Sequence, residues 1–313
     1  MDIGQELRRY IEWREEPKRR LFTPCVEFAY WYEFRANIDT SGTGMPEVEK
    51  SYRAMIAPIR DRVNCFSAKE ADIQKKLKRD TYDLFPFSLR GCTKENWYGT
   101  GINQVTLLQS MTNDFGYRDR SDIFFDAHLT EFSYQRMGLS IEEVLSNPQA
   151  FVQLCIAGIA GVKFRSGHAG LSFNYDDTFI NSYTHLQDPV VGRYRGVNVV
   201  HPWRYRKLDG VPTVNWLTLV SSEDIERLGG WQVLAQQVKD PVVLHRLPHG
   251  ALLQAGPSPQ LGYVNAQERL EAYHAVGAVL APVKSTIELQ SSAGGGRAEA
   301  NEWAHRFFRP CPF

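Results

Sequence analysis

Two pairs of side chains in this sequence have the types and spacing of reacting groups. The first is Ser166 with His168, in "RSGHAG" (165–170). Residues two apart on an extended chain point to the same side, so the imidazole could act as base for the hydroxyl. The local sequence indicates no acid to orient the ring, and the chain has no G-x-S-x-G elbow. The second is Asp126 with His128 in "SDIFFDAHLTEF" (121–132), where Thr130 shares the alternation and Glu131 lies close by. Such a face could ligate a cation, but the polar side of a half-buried strand explains it more simply. His245 and His249 stand four apart, a metal spacing on a helix, yet Pro248 intervenes in a strand-like pattern. Ser258 lies between prolines in "GPSPQLG" (256–262) with no local base, and reads as a turn residue. Cys155 falls inside a helical pattern and reads as core. "GTG" at 42–44 and at 99–101 extends to neither G-x-G-x-x-G nor a P-loop. These readings assign no catalytic residue, no metal ligand and no cofactor.

The acidic pairs also have structural explanations. Asp176 and Asp177 follow a strand pattern, where an acid caps naturally. Glu223 and Asp224 fill a first helical turn and gain from its dipole. The segment "GRYRGVNVVHPWRYRKLDG" (192–210) interleaves Arg193, Arg195, Arg204, Arg206 and Lys207 with Tyr194, Trp203 and Tyr205. Basic and aromatic residues together could bind single-stranded nucleic acid. Lys plus Arg equals Asp plus Glu, at 36 each, so the chain lacks the positive excess of a general nucleic-acid binder. Arginine stems lying on aromatic faces are the simpler reading.

Several elements must position these groups. Ile3, Leu7, Tyr10 and Ile11 share a face of an N-terminal helix that Pro17 stops. "CVEFAYWYEFRA" (25–36) reads as a central strand with Glu27 and Glu33 as its only acids. A helix follows from Pro46, with Pro58 interrupting it. "AKEADIQKKLKRDTYDLF" (68–85) reads as a charged surface helix. Ser140 with Glu143 forms a capping box, and Pro148 opens a second helical segment. Strands are expected at 168–176 and 213–220. Ser221 or Ser222 caps a helix that Gly229-Gly230 ends, and a second short helix covers 231–238. A hairpin over 241–256 turns near Pro248-His249-Gly250, and Asn265 caps the next helix. "SSAGGGRAEA" reads as a flexible linker before a short helix with Trp303 and Phe307 on one side.

The class is α+β, with a mixed, mainly antiparallel sheet and helices packed on it. Residues 1–284 read as one domain, with two sub-lobes dividing near 120 as an alternative; 285–313 read as linker and terminal helix. Hydrophobic residues make up 43% and charged ones 23%, enough to bury a sizeable core. No run reaches the roughly 18 apolar residues of a membrane span. The N-terminus carries charges throughout, unlike a secretory signal. The five scattered cysteines, 25, 65, 92, 155 and 311, suit reduced thiols and a cytoplasmic location.

Three blocks, "VNWLTLVSSEDIERLGG" (214–230), "GALLQAGPSPQLGYVN" (250–265) and "LEAYHAVGAVLAPVK" (270–284), resemble the bacterial type VI secretion immunity family. Its members include immunity proteins for VRR-Nuc nuclease toxins. "HAGLSFNY" (168–175) and the preceding "GIAGVKFRSG" look like its central block. The resemblance covers roughly 120–284 and is loose before that; 192–210 and the tail after 285 lie outside it. It implies a non-enzymatic protein that binds a cognate effector toxin, best taken as a nuclease, and occludes its active site. It supplies no catalytic residues and no interface. Toxin-binding candidates come from the residues themselves: Asp119 and Asp122 in "YRDRSD", Asp176 and Asp177 after the central strand, and Trp97 and Tyr98 as aromatic anchors. Neither membrane nor direct nucleic-acid contact is expected. An enzyme with a dispersed, hydrolase-like site and an RNA-binding module stay open as alternatives.

Overall fold

The aromatic stretch near the N-terminus becomes β1 (Phe22–Glu33), an interior strand flanked by β6 (Phe132–Leu139) and β7 (Phe164–Tyr175). The computed structural model describes residues 2–12, 22–41, 44–68, 75–78, 83–90, 104–109, 122–175, 190, 192–200, 202, 205, 207–287 and 297–310. The remaining strands are β2 (Cys65–Ala68), β3 (Lys75–Lys76), β4 (Gln104–Gln109), β5 (Phe124–Leu129), β8 (Leu217–Ser221), β9 (Val242–Leu247) and β10 (Gly250–Ala255). They form a single sheet in the order β3-β2-β4-β5-β6-β1-β7-β8-β10-β9. Every ladder between these strands is antiparallel. With the helices below, this is the α+β class expected.

Strand alternation gives β1 two different faces. Val26, Phe28, Tyr30 and Tyr32 point one way and are buried. They meet α2 (Pro46–Ile56) and α5 (Pro148–Ile159): Tyr30 Oη lies 2.6 Å from Ser51 Oγ, and Gly158 lets Phe28 and Met55 approach α5 closely. Each such side chain contributes on the order of 2 kcal/mol of burial. Cys25, Glu27 and Trp31 point the other way, toward a cover formed by residues 197–200 with Pro202 and Tyr205. Trp31 Nε1 donates to the Pro202 carbonyl at 2.9 Å, and its ring meets Tyr205 edge-on with centroids 4.8 Å apart.

Local signals place most helices. α1 (Ile3–Glu12) precedes β1. α2 begins at Pro46 and ends at Ile56, just short of Pro58. Ser140 Oγ accepts the Glu143 amide at the start of α4 (Ile141–Ser146), and Pro148 opens α5. Ser221 caps α6 (Ser222–Arg227), which Gly229 and Gly230 end at positive φ before α7 (Trp231–Gln237). α3 (Leu84–Arg90) packs beside α2, and Arg90 joins Arg53 on Glu49.

Three expectations are corrected. Where the expected charged helix over 68–85 is described, it is not α-helical before Leu84: Ala68 ends β2, Lys75–Lys76 form β3, and α3 starts at Leu84, while 69–74 and 79–82 lie outside the described residues. β2 is held by its ladder with β4, a non-local pairing that local propensity does not register. The stretch 121–132 is not one strand. Thr130 and Ser133 close a turn by mutual hydrogen bonds, and a second strand, β6, returns from it. Asn265 caps no helix; it lies in a 3-10 turn (Val264–Ala266), and α8 (Glu271–Leu280) begins after Leu270.

α9 (Arg297–Ala304) and the 3-10 turn after it dock on α8. Trp303 and Phe307 are buried, and the Phe307 ring lies 5.1 Å from Tyr273. The Phe307 carbonyl passes so close to Gly277 that any side chain there would collide with it. Arg306 is half-buried, and among the described residues no carboxylate pairs with it. It donates to the carbonyls of Arg195, Val197 and Trp303 and lies over the Trp303 and Phe307 rings. Burial pulls its pKa down to about 9, still charged at neutral pH.

Candidate functional site

The chemistry-bearing side chains of the interior gather on the second face of β1. Register brings them together: Ala29 lies opposite both Arg136 of β6 and His168 of β7, and Arg136 opposite Asp126 of β5. Arg136 Nη1 donates to Glu27 Oε2 at 2.9 Å, and its Nε to Asp126 Oδ2 at 2.8 Å. Tyr134 Oη donates to the same Asp126 oxygen at 3.2 Å, and the guanidinium lies over the Phe124 ring. Arg136 is 2% exposed, so these charges are held out of water. Burial would lower the Arg136 pKa, but Asp126 and Glu27 raise it above the ordinary arginine value. Burial would raise the Glu27 carboxyl; the His168 hydrogen bond and the Arg136 charge bring it below its usual range.

His168 completes the cluster. Its Nε2 lies 3.2 Å from Glu27 Oε1 and 3.0 Å from Asn198 Nδ2. The amide nitrogen only donates, so Nε2 serves one neighbour at a time: as donor to Glu27 or acceptor from Asn198. Asn198 is itself fixed. Its side-chain Nδ2 donates to the Val200 carbonyl and its Oδ1 accepts the Val200 amide, its backbone N–H donates to the Leu171 carbonyl, and Ser172 Oγ donates to its backbone carbonyl. The cluster thereby pins residues 197–200 onto β7. The same segment is held from outside by Tyr194, whose hydroxyl donates to Glu6 of α1 at 2.6 Å, and by Arg306.

Glu27 is thus the acid that the Ser166–His168 pair lacked in sequence. The arrangement still makes no accessible nucleophile. Ser166 Oγ donates to the Leu219 carbonyl at 3.3 Å rather than to His168. Ser166 and His168 are both buried. A base and nucleophile sealed under a hydrogen-bonded cover have no route to a substrate. The other pairs dissolve likewise. Asp126 serves Arg136, while His128 stacks edge-on against Tyr134. His245 Nε2 meets Gln254 Oε1 at 3.0 Å in the β9–β10 hairpin. Among the described residues no group of three or more His, Cys, Asp and Glu is placed to hold a metal ion.

A different constellation lies at the open end of β1. Glu33 and Glu223 are 57% and 70% exposed at their side chains and share Arg165, which lies between them. Exposed Glu131, in the β5–β6 turn, lies next to the end of β1, its carbonyl accepting the Phe34 amide at 2.9 Å. The Glu223–Asp224 pair is therefore split. Asp224 is buried against Ser221 and Arg227, whereas Glu223 faces outward.

Of the six toxin-binding candidates, Asp119, Asp176, Asp177, Trp97 and Tyr98 lie outside the described residues. Asp122 is half-buried before β5, close enough to Arg8 of α1 to help raise its pKa after the Glu142 hydrogen bond. In the basic-aromatic segment, Tyr194 and Tyr205 are buried, and Arg193 lies over the Tyr194 and Tyr263 rings. Those contacts are the arginine-on-aromatic arrangement expected; Trp203, Arg204 and Arg206 lie outside the described residues.

Residues 115–307 match the model of the TsiV family, described as type VI immunity for VRR-NUC. The chain belongs to this family. The match runs from the segment before β5, across β6, β7 and the cover segment, to the docked Arg306 and Phe307. A solved structure, the Pseudomonas aeruginosa T6SS protein PA0821, is similar in fold at 17% identity, with a TM-score of 0.75 over 98% of this chain and 90% of its own. No curated protein matches the chain. Among the described residues no helix is long and apolar enough to cross a membrane.

Sequence reasoning missed Glu27 and Arg136. A signal for Glu27 was present: a carboxylate inside an otherwise apolar, aromatic strand needs a buried partner. Which partner it takes depends on β6 and β7, more than a hundred residues further on.

Proposed function

We propose that this immunity protein binds a cognate VRR-Nuc-type nuclease and stoichiometrically occludes its active site, without catalysis, in the cytoplasm. The family match over residues 115–307 carries the reading. The sealed Glu27–His168 cluster supports its non-catalytic part, because the one constellation resembling a base and its acid has no opening.

A nuclease leaves a basic, metal-bearing groove open to a polyanion. An inhibitor matches it with carboxylates on outward surfaces, which also speed encounter. Asp119, Asp122, Asp176 and Asp177 are proposed for that role, with Trp97 and Tyr98 as anchors of the kind that dominate interfaces. The exposed Glu33, Glu131 and Glu223 offer a further acidic edge.

The test is titration of the nuclease encoded beside this gene with the purified chain, read by DNA digestion. Occlusion predicts activity falling linearly to zero at stoichiometric equivalence. Complete inactivation at a small fraction of an equivalent would mean catalysis. Absence of binding, with no rescue of growth on co-expression, would remove the reading altogether.

A further inference from the structure

The two edges of the sheet are built differently. At one end β3 is two residues long and both are lysines, the short, charged form by which sheets discourage further pairing. At the other end β9 runs six residues, and Val243 on it is 46% exposed. Val243 is the large hydrophobic residue left exposed among the described residues.

The hydrogen-bonding side of β9 follows from its hairpin. Leu247 pairs with Gly250 across the two-residue turn, so Val243, His245 and Leu247 bond to β10. The Ala255 amide donates to the Trp216 carbonyl, which fixes the same alternation from the opposite side of β10. Val242, Leu244 and Arg246 therefore direct their backbone groups away from the sheet. The Val242 amide is used by the Lys239 carbonyl at 2.9 Å. The amides of Leu244 and Arg246 have no partner among the described residues, and Arg246 is exposed.

We propose that β9 is a self-pairing edge: two copies of the chain join antiparallel through it about a two-fold axis. A two-fold pair must bring outward residues opposite outward residues, which allows three registers about the middle of β9; the one with Leu244 facing Val242 sets the Arg246 donor beyond the end of the partner strand, leaving two. In one, Leu244 faces Arg246 of the second copy. That sets His245 against His245 and the two Arg246 side chains on a diagonal, opposing like charges. In the other, Leu244 lies on the axis against Leu244, Arg246 faces Val242, and Val243 faces His245. All free donors, Leu244 N–H and Arg246 N–H of each copy, then find a carbonyl, and no like charges are opposed. The charge pattern selects this second register, and the strand's complementarity to itself selects a second copy over an unrelated strand. The pairing is independent of toxin binding and goes beyond it.

The full chain should show a dimer fraction that rises with concentration in sedimentation or light scattering. Leu244→Pro removes an outward donor that the β10 ladder does not use, so the hairpin tolerates it. It should raise the dimer dissociation constant at least about tenfold, the loss of one to two net hydrogen bonds, with the circular dichroism spectrum kept. Should that variant fail to fold, Leu244→Cys reports instead. Hydrogen-bonded antiparallel partners have Cα atoms about 5.5 Å apart, within disulfide reach, so oxidation should link two copies through residue 244 beyond the wild-type background. Val243→Cys, facing His245, should link far less. A wild-type chain that stays monomeric at all concentrations overturns the proposal. So does equal crosslinking at 243 and 244, and so does a Leu244→Pro variant that loses nuclease binding while the wild type is monomeric; that last result assigns the edge to a strand of the toxin.

Discussion

Charged side chains occupy both the middle of β1 and its end, with opposite consequences. In the middle, Glu27 sits with Arg136, Asp126 and His168 where water does not reach. At the end, Glu33 meets Arg165 in the open, with Glu131 and Glu223 alongside. Six residues separate the two glutamates on one strand. A buried ion pair gains little net stability but is costly to break, because the orphaned partner cannot be rehydrated. An exposed pair gains little and costs little, and its charge stays available to another molecule. The inner cluster is accordingly a fastening and the outer one a surface, although both use the same chemistry.

Breaking the inner cluster should have the largest effect. Arg136→Ala strands Glu27 and Asp126 together, and about 3–5 kcal/mol of stability should be lost in urea unfolding. Nuclease affinity per folded molecule should be unchanged. His168→Ala leaves Glu27 its arginine, so a smaller loss of about 1–3 kcal/mol is expected by the same measurement. Full stoichiometric inhibition by the folded variant separates a fastening from a catalytic base; a folded variant that binds without protecting would reverse that assignment.

The outer cluster should respond the other way. Charge reversal of Glu33 and Glu223 to Lys should slow association with the nuclease by about tenfold at low salt, with the difference fading as salt rises. The melting midpoint should barely move, since exposed pairs contribute under about 1 kcal/mol. Unaltered association kinetics would place the toxin elsewhere, with Asp119, Asp176 and Trp97 the next residues to substitute.

The smallest effect is expected from pH. His305, beside docked Arg306, is held at about 4 by burial and then by the charges of Lys284 and Arg309. A histidine whose folded pKa lies below its unfolded value binds more protons when unfolded. Its contribution is complete above about 6.5 and declines as pH falls toward 4. Limited proteolysis should cut near 288–296 faster at pH 5 than at pH 7.5, while His305→Gln should flatten that dependence.

Much of the scaffold was legible because the rules behind it are local. Ser140, Pro148 and Ser221 each mark a helix start from their own backbone chemistry. The aromatic run of β1 announced an interior strand, and Trp303 with Phe307 announced a docked tail. The failures have non-local causes. Helical composition over 68–85 lost to the pairing of β2 with β4, and Asn265 lost its cap because the chain makes a 3-10 turn first. The site was less legible than the scaffold. Glu27 and His168 are 141 residues apart, so no spacing rule connects them. Of the six toxin-binding candidates read from the sequence, Asp122 alone falls among the described residues.

The interior position of β1 bears on how the protein is made. It leaves the ribosome well before both its partners, β6 and β7, which are encoded more than about a hundred residues downstream. Until residue 139 emerges both edges of this aromatic strand are unsatisfied, and until residue 175 emerges one of them still is, while Glu27 waits for His168. Such a topology closes late and exposes an aggregation-prone segment during synthesis. Under the proposed function, protection begins only after the sheet has closed around β1, so a standing stock of finished molecules serves better than synthesis on demand.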